Sequence, residues 1–130
     1  MIFVDTNYFL RFLLEDVDSQ HKEAKKLFLE AADGNLKLFT SIIVIFEINR
    51  VLSSFYRKDK IRTCSILDEA LSFPFLKIIE KAILLEAIEK YKENNISLED
   101  SYNLVFAKSR NAAAFKTFDA KLAKLFSLKI

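Results

Sequence analysis

Four acidic residues of this chain stand where a carboxylate needs a specific reason to be. Three of them follow or interrupt apolar runs and one opens a helical segment; they are Asp5, Glu47, Asp100 and Asp119. If the fold brings these side chains together, their mutual repulsion needs a counter-charge. A divalent cation is the usual one, because hard oxygen ligands suit Mg²⁺ and Mn²⁺. The four acids therefore point to a metal-dependent enzyme acting on phosphates, and to a nuclease in particular.

Each of these acids also has an ordinary structural explanation. Asp5 and Asp119 each precede a predicted helix, where aspartate is a favoured N-cap. Asp100 lies three residues after Ser97, the place of the acidic partner in a capping box, and Glu99 beside it is a competing carboxylate. Capping and metal binding are compatible, because the positive end of a helix dipole favours a carboxylate. Both explanations therefore stay open for these three aspartates.

Glu47 is the acid that is hardest to explain by local structure. It follows Val44 by three residues and precedes Ile48 by one, so it lies on the apolar stripe of its predicted helix. A lone carboxylate is rarely buried, because losing water is costly unless a partner compensates. An ion pair with Arg11 or Arg50 is the structural alternative to a functional role.

The elements that must position these acids follow from the pattern of apolar residues. Strands are predicted at residues 2–4, 36–40, 75–79 and 113–118, with a further one at 128–130. Helices are predicted between them, with Ser19 and Ser41 as N-caps of two of the helices. Alternating strands and helices predict a parallel sheet covered on both faces. The functional sites of such sheets lie beyond the carboxyl ends of the strands, where Asp5 and Asp119 are placed.

Composition limits the class of protein. The chain has 130 residues, so a single domain over residues 1–130 is expected. The hydrophobic fraction of 52%, with 13 phenylalanines, favours extensive helix packing or a buried dimer interface. The net charge of +2 does not indicate nonspecific nucleic-acid binding. The single cysteine, Cys64, excludes an intramolecular disulfide and a cysteine-based zinc site.

The chain also lacks the features of an exported or membrane protein. Its first residues have no basic start and do not resemble a signal peptide. No apolar run approaches the roughly 20 residues that span a bilayer. His21 is the only histidine, which excludes a nuclease mechanism based on paired imidazoles. A reduced, cytoplasmic, soluble domain is therefore expected.

The chain resembles the PIN domain, and within that family the VapC toxins of prokaryotic toxin–antitoxin pairs. Four segments carry the resemblance, in order along the whole chain: "IFVDTNYFLRFLLED", "TSIIVIFEINRVL", "ISLEDSYNLVFAK" and "AAFKTFDAKLAKL". The resemblance implies a three-layer α/β/α sandwich with a central parallel sheet of four or five strands. It also implies an endoribonuclease that uses Mg²⁺ or Mn²⁺, forms a homodimer and is silenced by a cognate antitoxin protein.

The resemblance assigns roles to particular residues. The metal-binding and catalytic acids would be Asp5, Glu47, Asp100 and Asp119. Supporting roles fall to Thr6, Asn7 and Thr117, and Arg11 falls where many such toxins carry an arginine. Independently of the resemblance, Arg11 and Arg50 are candidate RNA contacts, Arg50 in particular because it lies one helical turn from Glu47. Cleavage would leave a 5′-phosphate and a 3′-hydroxyl. The chain departs from the family pattern at Ser101, where alanine is more usual, and it lacks glycines before the last strand.

Other functions are consistent with the same residues. A phosphatase could use Asp5 as nucleophile, but such enzymes usually have a second aspartate where this chain has Asn7. A PIN protein could process RNA outside a toxin pair, or could be inactive and act through protein contacts alone. In a purely structural alternative, every acid is a helix cap or one half of an ion pair.

Overall fold

The computed structural model of the chain describes residues 1–128, which form two compact units; the first is Met1–Lys81 and the second begins at Ala82. The elements of the first unit are β1 (Ile2–Phe3), α1 (Thr6–Leu14), α2 (Asp18–Ala32), β2 (Leu38–Thr40), α3 (Ile42–Ser54), α4 (Lys60–Leu71) and β3 (Leu76–Ile78). Those that follow are α5 (Lys81–Glu93), α6 (Leu98–Ser109) and α7 (Ala120–Ser127). None of the helices within residues 1–128 has the length and apolar character to cross a membrane.

A small parallel sheet organises the first unit. Its strand order is β1-β2-β3, and Leu38 is in register with Ile2 on one side and Leu76 on the other. Leu38 and Leu76 are fully buried, because alternate residues of a strand point to opposite faces and this face meets the core. The three predicted strands at residues 2–4, 36–40 and 75–79 are therefore confirmed, each in a shorter form.

Local hydrogen bonds explain where several helices begin and end. The hydroxyl of Ser41 accepts from the backbone N–H of Val44 and caps α3, as predicted. Helix α2 ends at Ala32, and Gly34 two residues later has a φ of 84°, in the left-handed region that glycine adopts without strain. Within the first unit, α1 packs against α2 and α3, and α3 packs against α4.

Aromatic residues fill much of the core of the first unit. Phe28 of α2 lies 4.6 Å from Phe12 and 5.5 Å from Phe9 of α1, measured between ring centroids. It also lies 5.8 Å from Phe73 and 6.2 Å from Phe75, which precede β3. Edge-to-face and offset contacts between rings at such distances are favourable. This cluster accounts for much of the unusual phenylalanine content of the chain.

The second unit is helical within the residues that the structure describes. Its buried positions include Leu84 and Ile88 of α5, Leu104 and Val105 of α6, and Leu122 of α7. Helix α6 is capped by Ser97, whose hydroxyl accepts from the backbone N–H of Asp100 at 3.0 Å. Helix α6 also packs against α7.

The predicted strand at residues 113–118 is wrong. This segment is irregular, and the three alanines that begin the run, Ala112, Ala113 and Ala114, are exposed. The ring of Phe115 packs instead against Phe126 of α7, with 5.3 Å between centroids. Alanine has little β-propensity and little side chain to bury, so the run had no strong preference for a strand. The sheet within residues 1–128 has three strands, and the expected fourth and fifth are not confirmed.

Three smaller expectations also need correction. Ser19 does not cap α2, because the helix begins at Asp18 and Val17 occupies the N-cap position. Phe55 does not belong to the buried stripe of α3; the helix ends one residue earlier and the side chain is 77% exposed. Leu128 is not in a strand, and the remainder of the predicted strand at 128–130 lies outside the described residues.

Candidate active site

Asp5 stands at the N-cap of α1, directly after β1, but its side chain does not cap the helix. The residue has the extended backbone that an N-cap requires, with φ −87° and ψ 168°, yet its carboxylate accepts no hydrogen bond from the first turn. Aspartate at this position usually makes that bond. The exposed carboxylate is therefore available to another partner, and the capping explanation does not account for it.

Glu47 is held by the residue that follows Asp5. The hydroxyl of Thr6 donates a hydrogen bond of 2.8 Å to Oε2 of Glu47, across 41 positions of sequence. The Glu47 side chain is half-buried, and no lysine or arginine of residues 1–81 forms an ion pair with it. Oε1 keeps its acceptor capacity. The structural alternative proposed for Glu47, an ion pair with Arg11 or Arg50, is therefore wrong.

Arg11 is engaged elsewhere in the first unit. Its Nη1 donates to Oδ1 of Asp16 at 2.6 Å and to the hydroxyl of Tyr56 at 3.2 Å, and the Tyr56 hydroxyl donates to Oδ2 of Asp16 at 2.7 Å. The hydrogen bond from Tyr56, and then the one from Arg11, lower the pKa of Asp16 below its usual range. The same two partners raise the pKa of Arg11, with Asp16 contributing most.

The triad of Arg11, Asp16 and Tyr56 joins the end of α1 to the residues that follow α3. Sequence reasoning missed Tyr56, which lies 45 positions from Arg11 and shows no local pattern that would connect the two. His21 adds a second contact to the same turn, since its Nδ1 lies 3.0 Å from the carbonyl oxygen of Arg11. The Arg11 guanidinium thus has a structural role in positioning α1.

Asp100 makes only half of the predicted capping box. Its backbone N–H donates to the Ser97 hydroxyl, but among residues 1–128 its carboxylate makes no reciprocal bond to the backbone N–H of Ser97. The side chain of Asp100 is half-buried, whereas that of neighbouring Glu99 is exposed. A half-buried carboxylate without a hydrogen-bond donor is a better candidate ligand than an exposed one. Burial therefore favours Asp100 over Glu99.

Asp119 does cap its helix, as its structural explanation predicts. Oδ1 accepts from the backbone N–H groups of Lys121 at 2.9 Å and Leu122 at 3.1 Å. The backbone N–H of Asp119 donates in turn to the Thr117 hydroxyl at 3.0 Å. Oδ2 takes no part in the cap. One carboxylate oxygen of Asp119 is thus fixed by α7, and the other is available to a ligand.

The sequence of the chain matches the PIN domain family over residues 2–126. The chain belongs to the PIN domain family. PIN domains are generally nucleases, commonly metal-dependent, and those that act on RNA bind it as substrate. No curated protein and no solved structure matches the chain.

The donor atoms of this PIN domain are of the kind that suits a divalent cation. Carboxylate oxygens are the ligands that Mg²⁺ and Mn²⁺ prefer, and each of the four acids keeps at least one oxygen outside the hydrogen bonds described above. Within residues 1–128, however, no group of three or more carboxylate, imidazole or thiol side chains converges closely enough to hold a metal ion. The chemistry of the donor set thus fits the metal that PIN nucleases typically use.

The first unit also contains two cavities. A polar pocket of about 210 Å³ lies between α1 and α2 and is lined by Asn7 and Arg11, among others. A larger groove, of about 910 Å³, is formed by apolar residues of the three strands and the start of α3. Several of its apolar residues are exposed, namely Met1, Phe3, Ile43 and Ile79. None of the four acids lines either cavity.

Proposed function

We propose that this PIN domain is a metal-dependent endoribonuclease and the toxin of a toxin–antitoxin pair. The observation that carries the nuclease proposal is the state of two carboxylates, those of Asp5 and Glu47. The Asp5 carboxylate stands at a helix N-terminus without capping it, and the next residue, Thr6, orients the half-buried Glu47. A carboxylate that neither caps a helix nor forms an ion pair keeps its oxygens available to a cation.

All four acids would be needed to hold Mg²⁺ or Mn²⁺, namely Asp5, Glu47, Asp100 and Asp119. When bound, such a cation supplies Lewis-acid activation of water for attack on a phosphodiester. Thr6 would keep Oε2 of Glu47 in place, so that Oε1 faces the ion or a water molecule. Thr117 and the cap of α7 would fix Asp119 in the same way.

RNA would be held by residues near these acids in the first unit. Arg50 is exposed and lies one helical turn from Glu47 on α3, so its guanidinium is available for a phosphate contact. Arg11 is less suited to direct contact, because Asp16 and Tyr56 already occupy its guanidinium. Asn7 is exposed on the first turn of α1 and would contribute an amide to the same surface.

The toxin proposal is supported by the sequence resemblance and by the exposed groove of the first unit. Large exposed apolar surfaces of soluble domains commonly mark protein interfaces. A cognate antitoxin or a second copy of this chain would cover such a surface, and both belong to the proposal. A cytoplasmic location is also part of it, since the single cysteine, Cys64, is buried and offers no disulfide.

The test is an RNA cleavage assay with purified protein in Mg²⁺, in Mn²⁺ and in EDTA. Asp5→Asn and Asp100→Asn should each lower the cleavage rate about 100-fold or more, as expected for loss of a group that stabilises transition-state charge. Glu99→Gln is the matched control, since it neutralises the exposed neighbour of Asp100 and should cleave at the wild-type rate.

Two results would overturn parts of the proposal. Wild-type turnover by Asp5→Asn, or cleavage that persists in EDTA, would remove the metal-site mechanism. Metal-dependent cleavage without growth arrest on expression in a bacterial host would instead favour an RNA-processing PIN nuclease outside a toxin pair. Growth arrest by wild type, absent with Asp5→Asn, is the result expected of a toxin.

A further inference from the structure

One aromatic side chain of the second unit is completely exposed beside a proposed catalytic acid. The relative accessibility of Phe118 is 110%, so the residue is fully exposed to solvent. Most phenylalanines of this protein pack against another ring, but within residues 1–128 Phe118 has no such contact. Exposing a phenyl ring to water is unfavourable, so covering it with a partner surface would contribute favourable free energy to binding.

One hydrogen bond spans this residue, and two more fix the backbone that follows it. The Thr117 hydroxyl accepts from the backbone N–H of Asp119, and Oδ1 of Asp119 accepts from Lys121 and Leu122. Phe118 therefore projects from a turn that is fixed to the start of α7. Because the turn is already ordered, binding a partner at the ring would lose little backbone entropy.

The charges next to the ring favour a nucleic acid as that partner. Lys116 is exposed two residues before Phe118, and no ion pair within the described residues involves it. An exposed aromatic ring with a nearby lysine is the combination that single-stranded nucleic acids need, since bases stack on the ring and phosphates pair with the cation. A protein partner would more often meet a broader apolar surface, and the neighbours of Phe118 are polar, charged or small.

We propose that Phe118 stacks on an unpaired base of the RNA substrate, beside the phosphodiester that is cleaved, with Lys116 contacting a neighbouring phosphate. This inference rests on the proposed nuclease function and specifies its substrate as single-stranded RNA. The phenyl ring carries no hydrogen-bonding atom, so it accepts any base. Phe118 would therefore fix the position of the strand relative to Asp119 and leave the identity of the base to other residues.

The absence of tryptophan from the chain makes the stacking directly measurable. Phe118→Trp introduces a single indole at this position, whose fluorescence should be quenched when a base stacks on it. We would make the change in Asp5→Asn, which should not cleave, and repeat it in otherwise wild-type protein in EDTA. A short single-stranded RNA should quench the fluorescence, and a duplex of the same sequence should not.

Alanine variants measure how much the contact contributes. Phe118→Ala should weaken the Kd for single-stranded RNA by about 5- to 150-fold, the range that base–aromatic stacking shows on alanine substitution. Its melting temperature should be unchanged, because the ring is fully exposed in the folded protein. Lys116→Ala should remove one phosphate contact. The slope of log Kd against log salt concentration should therefore fall by roughly 0.7, the value per contact for a single strand.

Phe55 provides the matched control. It is 77% exposed, lies in the first unit, and its ring packs against that of Tyr56, with 5.1 Å between ring centroids. Phe55→Trp should not be quenched by RNA, and Phe55→Ala should bind RNA with the wild-type Kd. Quenching of both indoles alike would indicate nonspecific adsorption of RNA and would overturn the assignment of Phe118.

The remaining outcomes separate this inference from the nuclease proposal. RNA binding and cleavage by wild type, with Phe118→Ala unaffected and the indole unquenched, would overturn the stacking role and leave the nuclease standing. Equal quenching by duplex and single strand would overturn the unpaired base as ligand. If wild type neither binds nor cleaves RNA while its metal-dependent stabilisation persists, both proposals fail, and Phe118 would be assigned to a protein contact.

Discussion

The hydrogen bond between Thr6 and Glu47 makes the organisation of the first unit testable without any activity. Thr6→Val removes the hydroxyl donor and keeps the shape of the side chain, so Oε2 of Glu47 loses its 2.8 Å partner. A hydrogen bond to a charged group contributes about 1.5–3 kcal/mol. Because Glu47 is only half-buried and water can replace part of the bond, we expect about 1.5 kcal/mol, at the lower end of this range.

This loss converts to a measurable shift in melting temperature. For a chain of 130 residues the entropy of unfolding is about 270 cal/mol/K, so about 1.5 kcal/mol corresponds to a decrease of about 5–6 °C. Equilibrium urea denaturation gives the free energy of unfolding more directly. A change in the midpoint at an unchanged m-value would show that stability, and not the denatured state, has changed.

A double-mutant cycle decides whether the effect acts through Glu47. Glu47→Met removes the acceptor and keeps the length of the side chain, so adding Thr6→Val in that background should cost little. We expect a coupling energy of about 1.5 kcal/mol; a value below about 0.5 kcal/mol, typical of independent sites, would refute the reasoning. Thr40→Val is the control, because its hydroxyl donates 2.8 Å to the carbonyl oxygen of Val4 and should not couple to Glu47.

Three further predictions concern the acids. Asp119→Ala should lower the free energy of unfolding by about 0.5–2 kcal/mol through loss of the cap. Asp119→Asn should keep the cap and the stability but lose cleavage. Equal stability of the two variants in urea denaturation would contradict this prediction. The pKa of Asp16 is lowered by Tyr56 and Arg11, so its contribution to stability is complete above its ordinary pKa of 3.8 and is lost as pH falls through the lowered value. The difference in unfolding free energy between wild type and Asp16→Asn should therefore shrink below about pH 4, and a constant difference would be inconsistent with the ion pair. Mg²⁺ or Mn²⁺ at about 100 times its Kd should stabilise wild type by about 2.7 kcal/mol, seen as a higher melting temperature, and an equal increase for Asp5→Asn would exclude Asp5 as a ligand.

Local sequence was sufficient to predict most of the elements. The caps at Ser41 and Ser97 lie within three residues of the N–H groups that they accept, so the sequence patterns around them already contain the interaction. The three strands that form the sheet are compact apolar runs bounded by helical periodicity. The order of the four acids can likewise be read from the sequence alone, and so can the resemblance to the PIN family that rests on it. The PIN family match confirms the family.

Local sequence was misleading where a short apolar run is compatible with more than one local structure. The run at residues 113–118 has the composition of a weak strand, yet Phe115 reaches its partner Phe126 without one. Phe55 fits the helical period of α3, but the helix ends before it. In both cases the sequence pattern shows where the apolar residues are. Whether each one is buried depends on the elements that pack next to it in the fold.

The surroundings of three of the four acids were decided only by tertiary structure. The sequence allowed Asp5 to be a cap, Glu47 to be an ion-pair partner and Asp100 to complete a capping box, and none of these bonds is made among the described residues. The contact that organises Glu47 comes from Thr6, 41 positions away, and the one that engages Arg11 comes from Tyr56, 45 positions away. Capping depends on atoms a few residues apart, which sequence patterns record. A hydrogen bond between distant residues forms only once packing has fixed both side chains, so the sequence alone names the candidate groups and the fold selects their partners.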